Sequence, residues 1–142
     1  MYEKETEELF SQLKEDADIS RFLSENEGEM AKPLHVYLEN LLVQKQLNKR
    51  EVVQASLLER TYAYHIFSGN KKNPSRPKLL ALAMAMHLSL SETQYLLRYS
   101  GLGLLYPRHP WDSVIISALE RGLSVKDAND LLYSLGEKDM LG

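Results

Sequence analysis

Apolar residues recur along this chain of 142 residues at helical spacing, and almost nowhere do they alternate as they would in a strand. β-Branched residues are scattered, while Leu, Ala, Glu and Lys, which suit helices, dominate. We therefore predict an all-α protein with seven to nine helices and no sheet. An acidic amphipathic helix is expected over residues 3–15, with Leu9, Phe10 and Leu13 on one face, and a second short helix over 18–27.

Between residues 47 and 73 the pattern indicates two short helices joined by a tight turn. Asn48 can cap the first helix, and Glu51 can return the bond in a variant of the capping box. The second helix is predicted over Arg60–Ser68, where Gly69 ends it. The apolar residues of the two helices are Val52, Val53, Ala63, Ile66 and Phe67. Such a unit lays its second helix in the major groove of DNA.

The end of the chain echoes its middle. Leu88–Gly101 aligns with Leu123–Gly136 without a gap, at an offset of 35 residues. Both segments start with Leu-Ser, carry an acid three residues after that serine, contain Leu-Leu and close on glycine. The capping pairs are Ser89 with Glu92 and Ser124 with Asp127. Convergence of two well-capped helices would also produce this likeness. We predict a C-terminal helical hairpin, joined to the preceding helices by the loop 101–110.

A family resemblance covers residues 34–97, which are similar to the lambda-repressor/Cro-like helix-turn-helix of the XRE class. The five matching segments are LHVYLENLLVQKQL, NKREVVQAS, ERTYAYHIFSGNKKNPS, RPKLLALAMAMH and LSLSETQYLL. The resemblance implies a lambda-repressor-like five-helix helix-turn-helix DNA-binding domain over 34–100. An acidic helical extension would precede it over 1–33, and the C-terminal helical hairpin would follow over 101–142.

Candidate DNA contacts come from the second helix of the motif and from its surroundings. Base edges are predicted to be contacted by Arg60, Thr61, Tyr64 and His65, because arginine pairs with guanine and Thr or an aromatic ring touches a thymine methyl. The DNA backbone is predicted to be contacted by Lys49, Tyr62, Asn70, Lys71, Lys72 and Arg76. Two alternatives stay open. Tyr62 and Tyr64 could instead be packing aromatics, and the lysines could belong to a solvated loop.

The sequence departs from the family pattern at four positions. Leu57 stands where the family has a turn glycine, and leucine there would be strained by roughly 1 kcal/mol. We therefore expect a turn that is built differently. Leu42 and Phe67 replace a buried Arg–Glu pair, so an apolar contact is expected instead. Glu59 replaces a Ser, Thr or Asn cap; we expect a poorer cap and a carboxylate that faces the phosphates.

The net charge of −3 is unevenly distributed. Residues 1–33 carry 4 Lys and Arg against 10 Asp and Glu, a net charge of −6. Residues 34–100 carry 9 against 4, a net charge of +5, and residues 101–142 carry 4 against 6, a net charge of −2. The basic excess therefore falls on the segment with the motif, as a DNA footprint requires.

Other classes of protein find little support in the composition. The absence of cysteine excludes disulfides and thiolate metal sites, and fits a cytoplasmic protein. No apolar run resembles a signal peptide or reaches the ~18 residues that a membrane span needs. The four histidines, at 35, 65, 87 and 109, lack metal-ligand spacing, and no glycine-rich phosphate loop is present. We expect no enzyme activity, no metal and no cofactor.

Two functional hypotheses follow. The first is a cytoplasmic transcriptional regulator of bacterial or phage type that binds double-stranded DNA through residues 60–68. It would act as a homodimer on paired half-sites, with either the N-terminal or the C-terminal helices as the dimer or protein-partner surface. The alternative is a protein-interaction adaptor that keeps the fold without binding DNA, which Leu57, Glu59 and the overall negative charge favour. A ligand sensor would need a polar cluster, which the sequence does not show.

Overall fold

The computed structural model describes residues 4–15 and 17–142, and within them the chain is helical, with no strand. The all-α prediction is thereby confirmed. The nine α-helices of this part of the chain are α1 (Thr6–Glu15), α2 (Ile19–Glu25), α3 (Leu34–Gln44), α4 (Lys49–Ser56), α5 (Arg60–Ser68), α6 (Arg76–Ala85), α7 (Leu90–Tyr99), α8 (Pro110–Glu120) and α9 (Val125–Ser134). One 3-10 turn, Glu27–Glu29, follows α2.

The chain divides into two compact units, the first ending at Lys32 and the second spanning Pro33–Gly142. In the first unit α1 begins at Thr6, later than the predicted start at residue 3, which lies outside the described residues. The buried side chain of Asn26 donates to the carbonyl of Phe22 at 2.9 Å and to Gln12 Oε1 at 3.1 Å. Phe10, which was predicted to lie on the apolar face of α1, is 54% exposed, so its side chain is not buried.

The core of the second unit is built around α6. Seven consecutive residues of α6, from Leu79 to Ala85, are buried, and a helix that is apolar on all sides must be surrounded by other elements. Helices α4, α7 and α9 pack against it. The residues expected in the core from the sequence are all buried: Leu79, Leu82, Ala83, Met84, Leu88, Leu96 and Leu97. The same cluster includes Ile115 and Met140, so residues from the C-terminal hairpin contribute to this core.

Leu42 and Phe67 are both buried, with 4% and 2% of their surfaces exposed. They belong to the same apolar cluster, and their helices, α3 and α5, pack together. Both therefore lie in the core, as expected for an apolar contact at these two positions. Leu57 differs from our expectation. Instead of a rebuilt turn, it adopts the left-handed conformation itself, with φ 59° and ψ 7°, a region that favours glycine.

The side chains predicted to cap α4, α7 and α9 accept the expected backbone bonds, and the reciprocal bond of a capping box is formed at Ser89. The side chain of Asn48 accepts a hydrogen bond from the N–H of Glu51 at 3.1 Å. Ser89 and Glu92 form a complete capping box: the Glu92 N–H donates to Ser89 Oγ at 3.1 Å, and the Ser89 N–H donates to Glu92 Oε1 at 2.9 Å. Ser124 likewise accepts from the N–H of Asp127 at 3.1 Å. These local bonds fix where α4, α7 and α9 begin.

The repeat seen in the sequence has a counterpart in the backbone. Helices α7 and α9 have the same length and start 35 residues apart, at Leu90 and Val125. The turns before them match as well, since His87 and Gly122 are both left-handed, with φ of 56° and 64°. In each turn an N–H returns to the preceding helix: Leu88 donates to the carbonyl of Ala83 at 3.1 Å, and Leu123 to that of Ala118 at 2.9 Å. The α6–α7 and α8–α9 pairs thus share one type of connection.

Candidate nucleic-acid interface

Helices α4 and α5 are joined by the three residues 57–59 and pack with a buried face toward the core. The buried residues are those that the sequence predicted: Val52, Val53, Ala63, Ile66 and Phe67. The turn itself is fixed by Ser56, whose Oγ donates to the carbonyl of Val53 at 2.7 Å and accepts from the N–H of Leu58 at 3.3 Å. Ser56 and Leu58 are both buried, so the turn between the two helices is packed against the core.

The opposite side of α5 carries the four predicted base-contacting residues. Arg60, Thr61 and His65 are exposed, and Tyr64 is half-buried. The guanidinium of Arg60 lies 5.8 Å from the centre of the Tyr64 ring, a cation–π distance. The inner part of Tyr64 packs against the core, while its outer part supports the arginine. The two uses of Tyr64 that the sequence left open are therefore compatible.

Glu59 caps α5 through its side chain. Its carboxylate accepts the N–H of Tyr62 at 2.7 Å and the N–H of Thr61 at 3.1 Å. These two backbone bonds, with a smaller contribution from the charge of His65, hold the pKa of Glu59 below its ordinary value. Because Glu59 is exposed and bound to these N–H groups, its negative charge faces solvent at the start of α5, beside Arg60. Glu59 therefore makes two capping bonds to the first turn of α5.

The segment that leaves α5 presents Asn70, Lys71 and Lys72 to solvent. Its path is held by the N–H of Lys71, which donates to the carbonyl of His65 at 2.9 Å. Tyr62 is half-buried, and its ring lies 5.9 Å from the Nζ of Lys71 and 4.5 Å from that of Lys78. Tyr62 therefore packs on the core and positions two ammonium groups at the same time.

The remaining two predicted backbone contacts have partners within the protein. Lys49, the first residue of α4, forms an ion pair with Glu39 of α3, and its ammonium lies 5.6 Å from the centre of the Phe67 ring. Arg76 forms hydrogen bonds through four of its five N–H groups, two of them to Asp112. Arg76 therefore has a structural role in the second unit, and we leave it out of the interface proposed below.

A small cleft between α4 and α5 contains two residues that the sequence interpretation missed. The cleft measures about 140 Å³ and is lined by Arg50, Val53, Gln54, Leu58, Arg60 and Tyr64. Arg50 and Gln54 lie one turn apart on the exposed side of α4. Their i, i+4 spacing on a polar face was the available signal, and it required knowing how α4 leans on α5. Lys78, next to Tyr62, was missed for the same reason.

No family model, curated protein or solved structure matches this chain. Among the described residues no three His, Asp or Glu side chains are arranged to hold a metal ion. In the same part of the chain, each helix is too short or too polar to cross a membrane. The function therefore has to be inferred from the α4–α5 surface itself.

Proposed function

We propose that this protein is a sequence-specific transcriptional regulator that binds double-stranded DNA, with α5 in the major groove. The observation that carries the proposal is the division of α5 into two sides. Ala63, Ile66 and Phe67 are buried, while Arg60 and His65 on the other side are exposed. A helix anchored in this way can present its first turn to base edges, which is the docking mode of helix-turn-helix proteins.

The exposed side chains have the chemistry needed to discriminate bases. The guanidinium of Arg60 can donate to N7 and O6 of guanine, and the methyl group of Thr61 can contact that of thymine. An imidazole N–H of His65 can donate to a base acceptor. Because Arg60 rests on the ring of Tyr64, less side-chain freedom is lost when it meets a base.

The charges around α5 favour a polyanionic partner. Lys71 and Lys72 follow the helix directly, and Arg50 borders it on the α4 side. In the described part of the chain, Arg50 and Lys72 form no ion pair, so their charges are available to phosphates. Such contacts supply register and salt dependence rather than sequence preference. We further propose that the protein acts in the cytoplasm as a homodimer, since one small module buries little surface and paired half-sites raise specificity.

The second candidate is a protein-interaction adaptor that does not bind DNA. Glu59 favours it, because its carboxylate occupies the N–H groups at the start of α5, where a phosphate would otherwise be welcome. The two candidates make different demands on the same surface. A regulator needs the arginines and lysines around Glu59 to outweigh its charge, whereas an adaptor does not.

Selection of duplexes from a random pool at low salt tests the proposal. We expect the wild-type protein to enrich one motif, and Arg60→Ala to lose about 1–3 kcal/mol on it while relaxing the preference at one base pair. Arg121→Ala is the matched control, since it removes an exposed arginine at the end of α8. If the wild-type protein enriches no sequence, or if both arginine variants behave alike, the adaptor becomes the better interpretation.

A further inference from the structure

A second cleft lies where the chain leaves α5, and its lining is basic. It measures about 370 Å³ and is lined by Pro33, Leu34, His35, Gly69, Lys71 and Lys72. It therefore brings the start of α3 together with the end of α5, two segments more than 30 residues apart in the sequence. His35 was not among the residues that the sequence analysis assigned to DNA.

Gly69 brings the backbone and the imidazole of His35 close together. The glycine is left-handed, with φ 90°, and a Cβ at this position would lie 2.8 Å from Nδ1 of His35. Any other residue would be strained and would push the imidazole out of its place. The glycine that ends α5 thus also sets the position of His35 against the wall of the cleft.

The charged side chains that line this cleft are lysines. No acidic side chain lines it, and Lys72 forms no ion pair or hydrogen bond within the described residues. The acid nearest to His35 along the same face of α3 is Glu39, one turn further on, and its carboxylate is already paired with Lys49. In addition, Pro33 at the start of α3 offers no side-chain acceptor to the first N–H groups of the helix. All of these features favour an anion.

We propose that this cleft binds one phosphate of the DNA backbone, and that His35 is a phosphate contact that adjoins Lys71 and Lys72. The volume is ample for a tetrahedral oxyanion, and ammonium and imidazole groups are suited to its oxygens. The assignment rests on the proposed function, because the cleft adjoins the end of the helix that would occupy the groove. A phosphate held there would fix how far α5 enters the groove.

The test combines protein variants with duplexes in which single phosphates are replaced by uncharged methylphosphonates. On the selected duplex, His35→Ala should weaken binding by about tenfold, the usual effect of losing a hydrogen bond to a charged group. One methylphosphonate position should weaken binding of the wild-type protein to a similar degree and weaken the His35→Ala variant clearly less, because this variant has already lost one contact to that phosphate. Lys72→Ala should likewise show a smaller loss than the wild-type protein at that same position, which provides a second variant if His35→Ala does not fold by circular dichroism.

His87→Ala is the matched control, because it makes the same change at an exposed histidine beside the C-terminal hairpin. It should respond to every methylphosphonate as the wild-type protein does. The inference is overturned if the wild-type protein binds the duplex but every substituted position weakens the His35→Ala variant as much as it weakens the wild-type protein. It is also overturned if inorganic phosphate alone shifts the His35 NMR signals while His35→Ala leaves duplex binding intact. Failure of the wild-type protein to bind any duplex would instead reject the proposed function, and this contact with it.

Discussion

Arg76 and Asp112 form a bidentate ion pair in which both N–H···O distances are 2.9 Å. The same guanidinium donates to the carbonyls of Gly103 at 2.9 Å and Leu104 at 3.0 Å, and the carboxylate also accepts the N–H of Tyr106 at 2.9 Å. The start of α6, the loop after α7 and the start of α8 are thereby joined at one point. The ion pair and these hydrogen bonds therefore connect α6 and the loop after α7 to the C-terminal hairpin.

The first prediction is that Asp112→Asn lowers the free energy of unfolding by about 2–4 kcal/mol. The Asp112 side chain is only 7% exposed, so an amide in its place would leave the guanidinium of Arg76 without its counter-charge. Urea denaturation at neutral pH measures the change. Asp130→Asn is the control, since that carboxylate belongs to an exposed pair with Lys126 and should change stability by less than about 1 kcal/mol. Equal effects of the two substitutions would show that the buried pair is not a structural support.

The second prediction concerns acid. Burial opposes ionisation of Asp112, yet the hydrogen bonds from Arg76 and from the N–H of Tyr106, with the charge of Arg76, hold its pKa below the ordinary value. A group whose pKa is lowered by folding contributes stability above its unfolded pKa, near 4, and this contribution is lost as the pH falls through the folded value. Unfolding free energies measured from neutral pH down into this acid range should therefore decrease less steeply for Asp112→Asn than for the wild-type protein. Parallel curves would contradict this linkage.

The contrast between these residues shows what the sequence could reveal. Asn48 and Ser89 cap helices through bonds to a residue three positions away, so their pattern can be read from neighbouring letters. Arg76 and Asp112 are 36 positions apart, and no periodicity connects them. The sequence therefore suggested a phosphate contact for Arg76, and only the packing of α6 against the following loop and α8 revealed its actual partners.

The third prediction is that Leu57→Gly stabilises the protein by roughly 0.5–1 kcal/mol. Leu57 is left-handed and 48% exposed, so a glycine relieves backbone strain at the cost of little buried apolar surface. Thermal denaturation of the two proteins gives the comparison. Gln54→Gly, an exposed position inside α4, should do the opposite and cost about 1 kcal/mol. A loss of stability in Leu57→Gly would mean that the leucine side chain contributes more by packing than its conformation costs.

The candidate site, like the helix caps, was predictable only where neighbouring residues in the sequence carry the signal. Helical spacing alone distinguishes the buried Ala63 and Ile66 from the exposed Arg60 and His65, and the structure agrees with that division. It does not tell which residues of another element lie beside them. His35 reaches the end of α5 only through the packing of α3 on α5, and this tertiary relationship has no local sequence signal.

The fourth prediction is that DNA affinity falls with salt, with a log–log slope near −0.9 for each phosphate neutralised. Lys71 is exposed next to α5, and its ammonium is held near the ring of Tyr62. Lys71→Ala should therefore weaken binding about equally on all duplexes and make the slope less steep by roughly one. Lys126→Ala, an exposed lysine on α9, should leave the slope unchanged. Titrations at several salt concentrations decide the matter, and an affinity independent of salt would count against a phosphate-binding surface.

The last prediction distinguishes the regulator from the adaptor through Glu59. Its carboxylate both caps α5 and places a negative charge beside Arg60, and the two roles can be separated by Glu59→Ser. Serine retains an acceptor for the first N–H groups of the helix, so the unfolding free energy should change by less than about 1 kcal/mol. If α5 approaches DNA, removal of the charge should raise affinity by roughly fivefold, the equivalent of about 1 kcal/mol of repulsion across a hydrated gap.

Glu120→Ser provides the comparison for Glu59→Ser, because it removes an exposed carboxylate at the far end of α8 and should leave affinity unchanged. The gain for Glu59→Ser should also shrink as salt is added, since the repulsion acts through solvent. An adaptor that contacts its protein partner through this carboxylate gives the opposite result. Glu59→Ser would then weaken binding of that partner and have no effect in a DNA assay. If Glu59→Ser is stable and its DNA affinity equals that of the wild type, α5 does not approach the phosphates, and the adaptor is favoured.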